Sequence, residues 1–64
     1  MKAKAWRQWD AVRMFWVSEL PGDGGKDWGY TYKAGEALPL SEYWQRRFAG
    51  MCRRVGSKAR FVEV

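Results

Sequence analysis

The segment Ser41–Val55, SEYWQRRFAGMCRRV, constrains the fold most, because laid on a helix it separates into an apolar stripe and a basic stripe. At about 100° per residue, Trp44, Phe48, Met51, Cys52 and Val55 share one side, while Arg46, Arg47, Arg53 and Arg54 fall on the other around Gly50. Ser41 is a natural N-cap, and Glu42 suits the positive end of the helix dipole. Arg53 and Arg54 suit the negative end, and Gly56 is placed to stop the helix as a left-handed residue. A helix over about residues 41–55 is expected, and its apolar stripe needs a layer to cover it.

The remaining chain supplies that layer as strands. The run Ala11–Leu20 is rich in β-branched and aromatic residues and ends at the turn-forming cluster Pro21–Asp27. Trp28–Lys33 alternates, with Trp28, Tyr30 and Tyr32 on one side, so a hairpin with a long glycine-rich tip is expected. Residues 2–9 read as a further strand, with Asp10 and Ala11 in a turn. A competing helix over residues 3–20 is supported by Ala5, Trp9, Val12, Trp16 and Leu20 at helical spacing and by Pro21 just beyond. The short run Met14–Val17, apolar on every side, favours strand. Residues 33–41 read as a link, and the alternating tail 59–64 reads as a closing strand. The expected fold is α+β, with one domain over residues 1–64. A small antiparallel sheet, built from an N-terminal β-hairpin or meander plus a C-terminal strand, is covered by one amphipathic helix.

A core of this size needs help. A domain near 64 residues buries only about 60% of the surface its unfolded chain exposes. A single cysteine and no histidine remove an internal disulfide and the usual zinc-ligand sets. Large side chains and homodimerisation remain. The chain has five Trp, three Tyr and three Phe, and each such ring can bury about 150–250 Å². Trp16 and Trp44 are expected in the core. Trp6, Trp9 and Trp28 are hard to hide together, so at least one is expected at the surface as an aromatic contact.

Catalytic readings fail early, and no enzyme activity, metal or cofactor is expected. Without histidine a Ser or Cys nucleophile lacks its commonest base, and Cys52 lies on the apolar stripe, where a thiol is packing. No pair among the seven carboxylates has a spacing that implies an acid and a base. Gly25-Lys26 superficially resembles a phosphate-binding loop, but Leu20 and Asp27 stand where that motif needs Gly and Ser or Thr. Asp23 and Asp27 lack the ligand series of a calcium loop.

Charge points to anionic partners. The net charge of +5 is divided into +3 over residues 1–13, −2 over 14–40 and +4 over 42–64. Arg46 and Arg53, like Arg47 and Arg54, are seven residues apart, which is two helical turns and about 10 Å. Arginine forks suit phosphate oxygens and carboxylates. Gly50 would let a phosphate or a backbone approach, Tyr43 adds a ring and a hydroxyl, and Lys58 and Arg60 are expected to extend the patch. Exposed Trp beside basic residues would suit single strands, although Trp, Tyr and Arg also dominate protein interfaces. The leading expectation is a small non-enzymatic nucleic-acid-binding protein for DNA or RNA. The alternative is a phage-type interaction module or inhibitor that grips an acidic protein surface. A membrane-surface helix is disfavoured because the sheet should cover its short apolar stripe. The longest apolar run, Met14–Val17, is far below a spanning length, so a soluble cytoplasmic protein is expected. The lack of Asn, Ile and His suggests a GC-rich bacterial or phage-infected host cell.

Overall fold

Residues 3–20 form two strands and not a helix, and alternation along them sets the whole architecture. In the computed structural model, which describes residues 1–22 and 27–64, strand β1 is Ala3–Gln8 and strand β2 is Met14–Glu19. They pair antiparallel, with Trp6 opposite Trp16 and Gln8 opposite Met14. Asp10 makes the turn between them: one carboxylate oxygen accepts from the N–H groups of Val12 and Arg13, both at 2.9 Å. The other accepts from Arg13 Nε at 2.9 Å. A short acceptor side chain at the head of a turn replaces the missing backbone partners.

Strand β3, Gly29–Thr31, pairs with β2 and completes the expected hairpin, although it is shorter than the 28–33 run suggested. Part of the expected glycine-rich tip, residues 23–26, lies outside the described residues, and so do Asp23 and the Gly25-Lys26 pair. Strand β4, Pro39–Leu40, places Leu40 opposite Ala3 beside the first half of β1, where β2 no longer pairs. Strand β5, Lys58–Glu63, lies along the other edge of β1, from Gln8 opposite Lys58 to Ala3 opposite Glu63. The sheet is therefore antiparallel and curled, with β1 central. Residues 33–41, read as a link, contain β4 and a 3₁₀ turn at Ala34–Glu36; two residues of strand carry no periodicity to read.

Helix α1, Glu42–Val55, packs on one face of this sheet, so the expected α+β architecture is the one found. Its start is capped by Ser41 Oγ, which accepts from the Trp44 N–H at 3.5 Å. At its end Gly56 has φ 77°, its N–H donates to Arg53 O at 3.4 Å, and the Ser57 N–H donates to Cys52 O at 2.9 Å. This pair of bonds is a Schellman motif, which a left-handed glycine permits at no steric cost.

The core lies between helix and sheet. Phe48 and Cys52 from α1 meet Ala5, Val17 and Leu40, all essentially without solvent exposure. Small residues at Ala3 and Ala5 of the central strand leave room for Phe48. Trp28 packs edge-on against Phe48 at 5.1 Å and Trp44 at 5.8 Å, and Phe61 meets Phe48 at 6.3 Å. Trp28 therefore serves as a wall of the core and not as an exposed aromatic contact.

Two further expectations are corrected. Trp16 is not in the core, as its apolar run suggests: strand alternation puts Val17 there and turns Trp16 to the face away from the helix, beside Trp6. Val55 was placed on the apolar stripe, but it is 57% exposed in the last position of α1.

Candidate binding surfaces

Two surfaces carry the candidate residues, and they lie on opposite sides of the sheet. The first is the outer side of α1. With Phe48 and Cys52 turned inward, helical geometry directs Gly50 outward, and Arg46, Arg47, Arg53 and Arg54 stand exposed around it. None of the four forms an ion pair with a carboxylate among the described residues. Nothing lies within 4 Å of where a Cβ on Gly50 would stand. Tyr43, 59% exposed, receives a hydrogen bond on its hydroxyl from Arg47 Nη1 at 3.4 Å. The Arg47 guanidinium carbon is 5.8 Å from the Tyr43 ring centre and 5.7 Å from that of Trp44.

The second surface is the open face of the sheet. Phe61 faces the helix from β5, opposite Ala5, so Lys58, Arg60 and Val62 face the other way. Lys58 and Arg60 consequently do not extend the arginine patch of α1, as their position in the chain had suggested. Arg60 instead stands opposite Trp6, with its guanidinium carbon 6.0 Å from the ring centre. Trp6 and Trp16 sit side by side with ring centres 6.4 Å apart and planes inclined at 53°. Of the three aromatic contacts suggested from sequence, Trp6 lies on this surface. Trp16 was missed as a candidate, because the register of β2 against β1 decides that it stands beside Trp6.

Trp9 belongs to neither surface. It packs edge-on against Phe15 at 5.3 Å and Tyr30 at 5.2 Å, and the Arg7 guanidinium lies 4.3 Å from its ring centre. Arg7 Nε donates to Ser57 Oγ at 2.8 Å, and Arg7 Nη1 donates to the Tyr30 hydroxyl at 3.0 Å. Burial pushes the Tyr30 phenol above its ordinary value, with Arg7 partly opposing that. Arg7, Asp27, Trp28, Tyr30, Met51 and Val55 line a cleft of about 310 Å³.

Cys52 is buried, and burial pushes its thiol up, so at neutral pH it is a protonated packing group. Among the described residues no group of three His, Cys, Asp or Glu side chains could hold a metal ion. No helix among them is long and apolar enough to cross a membrane. The chain matches no family model, and no curated protein or solved structure matches it.

Proposed function

We propose that this protein binds nucleic acid without catalysing a reaction, and that the outer side of α1 contacts the phosphates. The observation that carries this reading is the set of four exposed guanidiniums around Gly50, free of carboxylate partners among the described residues. An arginine already paired to a carboxylate would have to break that pair before meeting phosphate; these do not. The helix that bears them is held by Phe48 and Cys52 and capped at both ends, so the patch is preorganised. Buried, protonated Cys52 suits the reducing cytoplasm of a bacterial or phage-infected cell, where such a protein would act.

Fluorescence anisotropy with labelled duplex and single-stranded oligonucleotides tests this. Neutralising about four phosphates of a duplex gives a slope of about −3.6 in log K against log salt. A flat salt dependence would reject the reading. The double variant Arg46→Glu, Arg53→Glu should lower affinity for any sequence alike. Association with a defined protein that survives nuclease treatment and is lost in the same variant would instead support an acidic protein partner.

A further inference from the structure

We propose that the open face of the sheet is a second nucleic-acid site, a stacking platform for the unpaired bases of a single strand. Trp6 and Trp16 would take the bases, and Arg60, Lys58 and Lys4 the flanking phosphates. This rests on the nucleic-acid reading above but on none of the residues of α1.

The solvated face of an antiparallel sheet is ordinarily polar. Here two of the five tryptophans occupy neighbouring positions on it, Trp6 on the central strand and Trp16 opposite on β2. Neither ring covers the other: their 53° inclination at 6.4 Å leaves a cleft of about 360 Å³ between them, Met14 and Val62. Met14 and Val62 are 46% and 47% exposed, so the apolar rim is open to a ligand.

The charge around the cleft selects the ligand. The Arg60 guanidinium carbon is 6.0 Å from the Trp6 ring centre, and Lys58 lies two residues before it on the same face. Lys4, on Trp6's side of β1, donates one of its three hydrogens to Ala34 O at 3.1 Å and keeps two for a ligand. The charged positions of β1 and β5 on this face are all cations; its carboxylates stand toward β3, where the β2 bulge sets Glu19 against Gly29 and Glu36 is engaged by Thr31 at 3.0 Å and Lys33 at 3.8 Å. Flat aromatic walls with cations beside them fit a polymer that alternates flat π-faces with negative charges. A single strand presents both. A duplex stacks its base faces on one another and offers only phosphates to such a cleft. The platform therefore adds a preference for single strands to the phosphate binding of the helix.

The test measures the whole protein against oligo-thymidine, an abasic strand of equal length and charge, and a duplex. Stacking contributes about a 5- to 150-fold gain per base, so oligo-thymidine should bind at least about fivefold more tightly than the abasic strand. Trp16→Leu, with folding checked by circular dichroism, should remove that advantage and leave duplex affinity within about twofold. Where a tryptophan replacement fails to fold, the exposed Arg60→Glu should weaken oligo-thymidine binding and spare the duplex. Equal affinity for abasic and thymidine strands would overturn the platform, as would Trp16→Leu or Arg60→Glu weakening the duplex as much as the single strand. If the duplex still binds and still responds to Arg46→Glu, Arg53→Glu, only the platform falls. If no oligonucleotide binds, the helix reading falls with it.

Discussion

Arg7 donates a hydrogen bond to the hydroxyl of Tyr30 at 3.0 Å, joining β1 to β3 across the intervening strand β2. The same guanidinium reaches Ser57, in the residue pair that closes α1, at 2.8 Å. One half-buried cation thus ties the far hairpin strand to the end of the helix. A hydrogen bond to a charged group contributes about 1.5–3 kcal/mol, so Tyr30→Phe should lower the free energy of urea unfolding by about that amount or somewhat less. A parallel ultraviolet titration of the wild type should show one tyrosine ionising later than its ordinary value of 10.0, and that component should vanish in Tyr30→Phe. An unchanged denaturation midpoint would show that water replaces the bond at no cost.

Phe48 has no solvent exposure and is flanked by Trp28 and Phe61. Phe→Ala in a core costs about 3–5 kcal/mol, and domains have about 0.05–0.15 kcal/mol of stability per residue. For 64 residues that is about 3–10 kcal/mol, so Phe48→Ala should remove a third or more of the stability and lower the urea midpoint of the tryptophan emission transition accordingly. Phe48→Leu should stay folded with a lower thermal midpoint.

Two glycines of the helix should respond with opposite signs. Gly50 is helical with open space where a Cβ would stand, so Gly50→Ala should stabilise the protein by about 0.5–1 kcal/mol. If a phosphate approaches the bare backbone there, the same change should weaken nucleic-acid binding, and so separate affinity from stability. Gly56 has φ 77°, where an L side chain is strained, so Gly56→Ala should destabilise by about 1–2 kcal/mol. Thermal unfolding of both variants checks the signs.

The Asp10 carboxyl is held below its ordinary value of 3.8, first by the N–H groups of Val12 and Arg13 and then by the Arg13 side chain. A depressed carboxyl stabilises the fold fully above its unfolded value, and that contribution is lost as the pH falls through the folded value. Asp10→Ala should therefore lower the thermal midpoint at neutral pH, and the gap to wild type should close below about pH 3.8. A gap that persists at lower pH would mean that Asp10 acts through the shape of the turn and not through its charge.

Much of this architecture was legible because its signals are local. The helix from Ser41 to Gly56 follows from a cap, a periodicity of 3.6 and a glycine stop, each readable within a few residues. The strand nature of Ala3–Gln8 and Met14–Glu19 was harder, since their tryptophans and alanines also fit a helical spacing. The two residues of β4 were beyond reach, because their pairing depends on where β2 leaves β1.

The chain by itself determined that α1 has an apolar side and an arginine side, because the angle between residues on a helix is set by backbone geometry alone. It could not decide which surface each remaining cation and tryptophan joins. Arg60 lies near Arg53 and Arg54 in the chain, yet the register of β5 against β1 carries it to the other side of the sheet, opposite Trp6. Strand pairing is non-local, and a one-residue shift exchanges the two faces. The six-residue pairing of β5 with β1, with Phe61 and Ala59 turned to the core, fixes that register and with it the division of the basic residues between a helix face and a sheet face.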